Sequence, residues 1–151
     1  LFVKSRTAEA RKYANELFQN DNLAQAAEAY ERLLPLCDAA EKTVVLSNMA
    51  AVRIKQWRWR DALVICEAVL ERDPMHQKAM YRTAQAHRGL RDPEAALAAI
   101  ARAREAAAGK STAELNLLEK HVRADVKRVE DGRAEATAAA RRKEARLLEA
   151  A

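Results

Sequence analysis

The sequence predicts an all-α fold of three stacked helix pairs closed by a long final helix. Three observations carry that expectation. Ala26, Ala62 and Ala96 recur at spacings of 36 and 34 residues, and each is followed four residues on by a larger packing residue, Tyr30, Cys66 and Ile100. Each recurrence is preceded by a helical pattern and a short polar break: Asn20-Asp21-Asn22, Gln56-Trp57-Arg58 and Arg91-Asp92-Pro93. Only three Gly and three Pro interrupt 151 residues rich in Ala, Leu, Glu, Arg and Lys, a composition that favours helix almost throughout. No stretch shows the alternation of a strand.

The punctuation places each helix. The first is predicted over about Thr7 to Gln19 and the second over about Leu23 to Leu36, with Asp21 or Asn22 as N-cap. Asp38-Ala39-Ala40-Glu41 reads as a capping box that opens the third, which continues to about Lys55. The fourth covers about Trp59 to Arg72. Asp73-Pro74 closes that unit. The fifth spans about Met75 to Arg88 and is expected to stop at Gly89, the residue type that most easily adopts a left-handed cap. Asp92-Pro93-Glu94 starts the sixth, which ends near Gly109. Ser111-Thr112-Ala113-Glu114 is a further capping box, opening a last helix that runs to about Leu148 and reaches over ~50 Å.

A period near 34 residues with two helices per unit is similar to the tetratricopeptide repeat (TPR). The resemblance implies a right-handed superhelix, with repeats at about 7–36, 40–73 and 75–108 inside a domain of residues 1–109. Ala14, Ala50 and Ala84 on the first helices, and Ala26, Ala62 and Ala96 on the second, allow close approach. Tyr13, Leu17, Leu46, Met49, Met80 and Tyr81 are expected to fill the spaces between. Three stacked pairs leave an apolar end that needs a cap. The stripe Leu115, Leu118, Val122, Val126 and Val129 in the segment 111–150 is expected to cover it. The tail beyond Gly132 is expected to project into solvent or to pair with another chain.

In such a stack the first helix of each pair lines a concave groove. Arg11 and Asn15 are four residues apart and share a face, with Phe18 one turn further. Asn48, Ala51 and Ile54/Lys55 repeat that geometry, and Lys78 and Arg82 are again four apart. Three cations and two amides thus address one groove beside a small apolar wall.

This set resembles the dicarboxylate-clamp TPR domains of chaperone partners, whose pattern is Lys-x-x-x-Asn, then Asn, then Lys-x-x-x-Arg. The matching stretches are Arg11-Lys12-Tyr13-Ala14-Asn15, Asn48-Met49-Ala50-Ala51 and Lys78-Ala79-Met80-Tyr81-Arg82. Arg11 departs from the usual Lys, keeping charge but changing reach and hydrogen-bond geometry. The resemblance implies a co-chaperone module whose partner is the C-terminal Glu-Glu-Val-Asp peptide of heat-shock protein 90, heat-shock protein 70 or both. It also implies a cytoplasmic or nuclear setting. Arg11, Asn15, Asn48, Lys78 and Arg82 would hold the two carboxylates of the terminal Asp. Phe18, Ala51, Ile54 and Lys55 would line the groove beside them.

Other classes fit less well. No Gly-rich phosphate loop and no registered Ser/His/Asp or Cys/His set argue for an enzyme, and no cofactor is expected. His76, His87 and His121 are scattered, without metal-ligand spacing. Cys37 and Cys66 read as reduced packing thiols. A net charge of +5 suits an acidic partner. Nucleic acid is not expected, because aromatics do not interleave with Arg141-Arg142-Lys143. No apolar run approaches the ~18 residues of a membrane span. The chain starts at Leu1 rather than Met, which predicts a piece of a longer protein. Two alternatives follow. Large immunophilins have a similar layout, with a peptidyl-prolyl isomerase domain ahead of three TPRs. The segment Arg133–Leu148 would otherwise serve assembly, through self-association of the last helix.

Overall fold

The computed structural model describes residues 2–110 and 112–151. Among these are seven α-helices and no strand: α1 Phe2–Gln19, α2 Leu23–Leu33, α3 Ala39–Lys55, α4 Trp59–Arg72, α5 Gln77–Gly89, α6 Pro93–Ala106 and α7 Ala113–Ala150. Helices α1/α2, α3/α4 and α5/α6 pack as pairs across tight turns, and the odd-numbered helices touch one another in succession. α7 takes the next odd-numbered place, against α5 and α6.

The differences from the expected boundaries have local causes. α1 begins before Thr7, whose hydroxyl donates to the Lys4 carbonyl 3.0 Å away inside the helix. No Gly or Pro lies in that stretch to stop it. α2 tightens into a 3₁₀ turn over Leu34–Leu36, because Pro35 lacks an N–H and its ring crowds the preceding turn. α5 starts at Gln77 rather than Met75. The Asp73 carboxylate accepts from Met75 N at 3.2 Å, and His76 Nδ1 caps the helix by accepting from Ala79 N at 3.1 Å. Asp38 and Asp92 cap α3 and α6 through Glu41 N and Ala95 N, at 2.8 Å and 3.1 Å. Thr112, not the expected Ser111, caps α7 through Leu115 N at 3.1 Å; Ser111 lies outside the described residues. Asn22 holds the N-cap position of α2 without a side-chain bond.

The expected left-handed cap at Gly89 is not found, since Gly89 is the last helical residue of α5. The chain turns left-handed two residues later, at Arg91 (φ 61°), as it does at Asp21 (φ 62°) and Trp57 (φ 59°). In each turn the next amide reaches back five residues: Asn22 N to Leu17 O, Arg58 N to Arg53 O and Asp92 N to His87 O, all 2.9 Å. Gly89 has a different purpose. A Cβ there would lie 2.3 Å from the Trp59 ring, so the missing side chain admits an indole against the backbone of α5.

Ala14, Ala26, Ala62, Ala84 and Ala96 are fully buried and Ala50 almost so, which lets neighbouring helices close on one another. One cluster, with Tyr30, Leu33, Val45 and Val52, is built from α1–α3. A second, with Met80, Ile100, Leu115, Leu118 and Val122, is built from α5–α7. Buried Cys66 and Val69 of α4 sit between them. Burial raises the Cys66 and Cys37 thiols above their usual range, as expected for packing cysteines. Two expected packing residues are not in the core. Tyr13 is 60% exposed, on the outer face of α1, and Val129 is 49% exposed where α7 leaves the body.

Candidate peptide-binding groove

The expected clamp residues centre on a hydrogen-bonded cluster from three helices. Asn15 Oδ1 accepts from Tyr30 Oη and, at 3.2 Å, from Asn48 Nδ2. Two donors fill the oxygen's two lone pairs, which fixes the amide and leaves its NH₂ outside this pair of bonds. Tyr30 is buried, and burial raises its phenol above the usual range; the bond to Asn48 and the nearby Arg11 and Arg82 oppose that rise. The phenol stays protonated and remains a donor to Asn15. The packing pattern marked Tyr30 only as a core residue. A phenol in place of an aliphatic side chain beside two registered amides is the one sequence signal for its polar role.

Arg82 enters the cluster from α5. Its Nη1 donates to the Ser47 carbonyl and to Ser47 Oγ, both at 2.6 Å. Ser47 is buried on α3, and nothing in the repeat pattern marked it as a positioning residue. Burial lowers the Arg82 guanidinium below its usual range, opposed by Cys66 and Tyr30. It remains charged. The ion pairs among the described residues give it no carboxylate. A partly desolvated cation held by neutral oxygens has the electrostatics of an anion receptor.

The other expected residues are placed around this centre. Lys78 is exposed, one turn before Arg82 on α5. Arg11 is half-buried, one turn before Asn15, beside Leu33, Cys37 and Glu41, and acts on both Tyr30 and Cys37. Phe18 packs on the α1–α3 core, and Lys55 Nζ sits 4.5 Å from its ring centroid, a cation–π contact. Ala51 is half-exposed one turn after Asn48. Ile54 lines a separate cleft with Trp59 and Gly89. Among the described residues no group of His, Cys, Asp and Glu is placed to hold a metal, and no helix is long and apolar enough to cross a membrane.

No protein-family model matches the chain. FK506-binding protein-like from mouse is 35% identical, and from human 36%, over 96 residues. That match covers 60% of this chain and 28% of those relatives, so the chain spans little more than a quarter of their length. Human mitochondrial import receptor subunit TOM70 is 32% identical over 89 residues, 56% of this chain and 14% of that protein. Among solved structures, the Hsp90 co-chaperone Cns1 from Saccharomyces cerevisiae superposes with a TM-score of 0.87 at 20% identity, over 94% of this chain and 46% of that one. The TPR2B domain of yeast Sti1, solved as a complex with pHsp70, gives 0.70 at 25% identity, over 78% and 96%. The first TPR of Spaghetti (RPAP3), bound to the HSP90 peptide SRMEEVD, gives 0.72 at 15% identity, over 82% and 94%. With its three helix pairs and following helix, the chain has the tetratricopeptide-repeat fold of these co-chaperone domains.

Proposed function

We propose that this chain is the chaperone-binding module of a co-chaperone, and that Arg11, Asn15, Asn48, Lys78 and Arg82 hold the terminal Asp of a Glu-Glu-Val-Asp tail from heat-shock protein 90 or 70. The observation that carries this reading is Arg82, a partly desolvated cation with no carboxylate partner among the described residues, set beside two amides bonded to each other, one of them held by Tyr30. A terminal Asp brings two carboxylates on one residue. Arg82 keeps Nε and Nη2 free of Ser47 and can take one of them as a fork. Lys78, a flexible point charge, takes the other from the rim. The NH₂ groups of Asn15 and Asn48 donate to carboxylate or main-chain oxygen. Phe18, Ala51 and the stem of Lys55 offer an apolar wall to the preceding side chain. Support comes from Sti1 and Spaghetti, whose domains share the fold and were solved with Hsp70 and HSP90 peptides.

Calorimetric titration with free-acid and C-terminally amidated peptides tests this directly. Amidation removes one charge and leaves desolvated donors unpaired, at a cost of about 2–5 kcal/mol. Arg82→Ala is expected to weaken free-acid binding by a similar amount. Lys78→Ala removes an exposed side chain, so a loss of affinity there is not attributable to unfolding. Equal binding of the two peptide forms to the intact chain sinks the assignment.

A further inference from the structure

The last helix does more than close the stack. It was expected to cover the third repeat as far as Val129. Leu115, Leu118 and Val122 are buried, but Val129 is 49% exposed, on a stretch of α7 that faces α5 across open space. A cleft of ≈ 650 Å³ opens between them. Trp59, Ile54 and Val129 give it apolar walls, and the Trp59 ring is held there by the space that Gly89 leaves. Arg88, Arg91 and Arg128 stand at its rim with Asp125. Asp125 accepts from Arg88 Nε at 2.7 Å and also pairs with Arg128. Three arginines against one aspartate leave the cleft a net charge of +2.

We propose that this cleft is a second peptide site, taking an internal segment of a partner protein in which one large apolar side chain stands between carboxylates. The volume lies within the ~300–1,000 Å³ range of specific pockets. The apolar walls reward burial of a Leu, Ile, Met or Phe side chain by about 1.5–3 kcal/mol. The surplus positive charge matches one or two carboxylates. It is too small for a nucleic-acid backbone, whose phosphates would also meet Asp125. The site is independent of the clamp. No residue of α1 lines it, and Arg91 and Pro93 come from the α5–α6 turn, so it opens on the turn edge of the stack. Ile54 lies six residues beyond Asn48, about 9 Å along α3.

Fluorescence tests the proposal. In a Trp57→Phe background, Trp59 is the only tryptophan left and reports from the cleft. The probe is a pool of acetylated, amidated hexapeptides with two glutamates on each side of a central pair containing Leu, Ile, Met or Phe. The expected result is a saturable shift of Trp59 emission, unchanged by a saturating free-acid Met-Glu-Glu-Val-Asp peptide that fills the clamp. Val129→Glu and Arg91→Asn alter exposed side chains, and Asn tolerates the left-handed backbone at that position. Each is expected to weaken the pool at least tenfold while leaving the free-acid peptide's affinity unchanged. The proposal is overturned if emission does not saturate by millimolar pool, if lysines in place of the glutamates bind as well, or if the free-acid peptide displaces the pool.

Discussion

The proposed clamp and the α7 cleft are both basic, both walled by α3 and α5, and assembled on different rules. In the proposed clamp Asn15, Asn48 and Arg82 stand 33 and 34 residues apart, and polar neighbours fix them: Asn15 by Tyr30 and Asn48, Arg82 by Ser47. In the cleft the positions that do repeat, Ile54 with Arg88 and Trp59 with Pro93, carry unlike residues. Its geometry depends on one glycine, one indole and the angle at which a single helix departs. The clamp is a product of repetition, the cleft of where repetition stops.

The largest effect is expected from the cleft. Gly89→Ala places a methyl group 2.3 Å from two Trp59 ring atoms, and neither the ring nor the α5 backbone has a flexible end that yields. A loss of about 2–3 kcal/mol is expected, the upper part of the range for an overpacked core. For a chain of this size that lowers the melting temperature by roughly 5–10 °C. Clamp affinity should be unchanged in the surviving folded fraction. Adding Trp59→Leu should restore much of the loss. An unchanged melt for Gly89→Ala alone refutes the packing role of this glycine.

The difference in construction also decides what was legible in the sequence. Helix number and pairing follow from a period and from residue types that recur on it. Asn15, Asn48, Lys78 and Arg82 are proposed from their spacing together with the resemblance to clamp-type repeats. The purpose of Gly89 could not be named in this way. A glycine at a helix end has a local explanation, the left-handed cap, and only coordinates show that Arg91 takes that conformation while Gly89 faces Trp59, 30 residues earlier. Ile54 was grouped with Phe18 by helical spacing, yet the neighbours that draw it into the cleft lie on other helices. Val129 continues a stripe at the right spacing, but spacing does not reveal that α7 has left the surface it was covering. Tyr13 failed for a simpler reason: an aromatic in an amphipathic helix is assigned to the core by type, and here it lies one position off the buried face.

The next effect sharpens the clamp side. Tyr30→Phe keeps the buried ring and removes one of the two donors to Asn15 Oδ1. A stability loss of about 1–2 kcal/mol is expected, because one lone pair of a partly buried amide is left unmatched. The free-acid peptide should bind several-fold more weakly, since the Asn15 amide is no longer fixed. A drop in stability without any change in affinity confines Tyr30 to a packing role.

The α7 wall carries a pH signature on the acid side. Hydrogen bonds from Arg88, and then the charges of Arg88 and Arg128, hold the Asp125 carboxyl below the usual carboxylate range. Hydrogen bonds from Arg104 and Arg123 do the same for Glu119. A depressed folded-state value contributes stability that is fully present above the unfolded value, about pH 4, and is lost as pH falls through the folded one. Asp125→Asn is therefore expected to cost about 0.5–1 kcal/mol at neutral pH, the modest figure fitting a pair that is about a third exposed. The variant and the parent should converge in stability toward pH 2–3. Amide exchange along α7 gives a local readout. A constant gap between the two proteins across that range excludes Asp125 ionisation as the cause.

The smallest effect separates both sites from the turns that carry the helices between them. Asp21, Trp57 and Arg91 occupy equivalent left-handed positions, and none is glycine. Trp57 is the costliest choice, a bulky residue at φ 59° that leaves 78% of its surface in water and so gains little from packing. Trp57→Gly removes ~1–2 kcal/mol of steric strain and returns part of it through the extra freedom glycine gives the unfolded chain. A net gain of about 0.5–1 kcal/mol is expected, raising the melting temperature by roughly 1–4 °C, with peptide affinity unchanged. Arg91→Gly should gain less, since arginine is less bulky at the backbone, and should also lose a rim charge of the cleft. If Trp57→Gly lowers stability instead, the indole makes a contact worth more than the strain it bears.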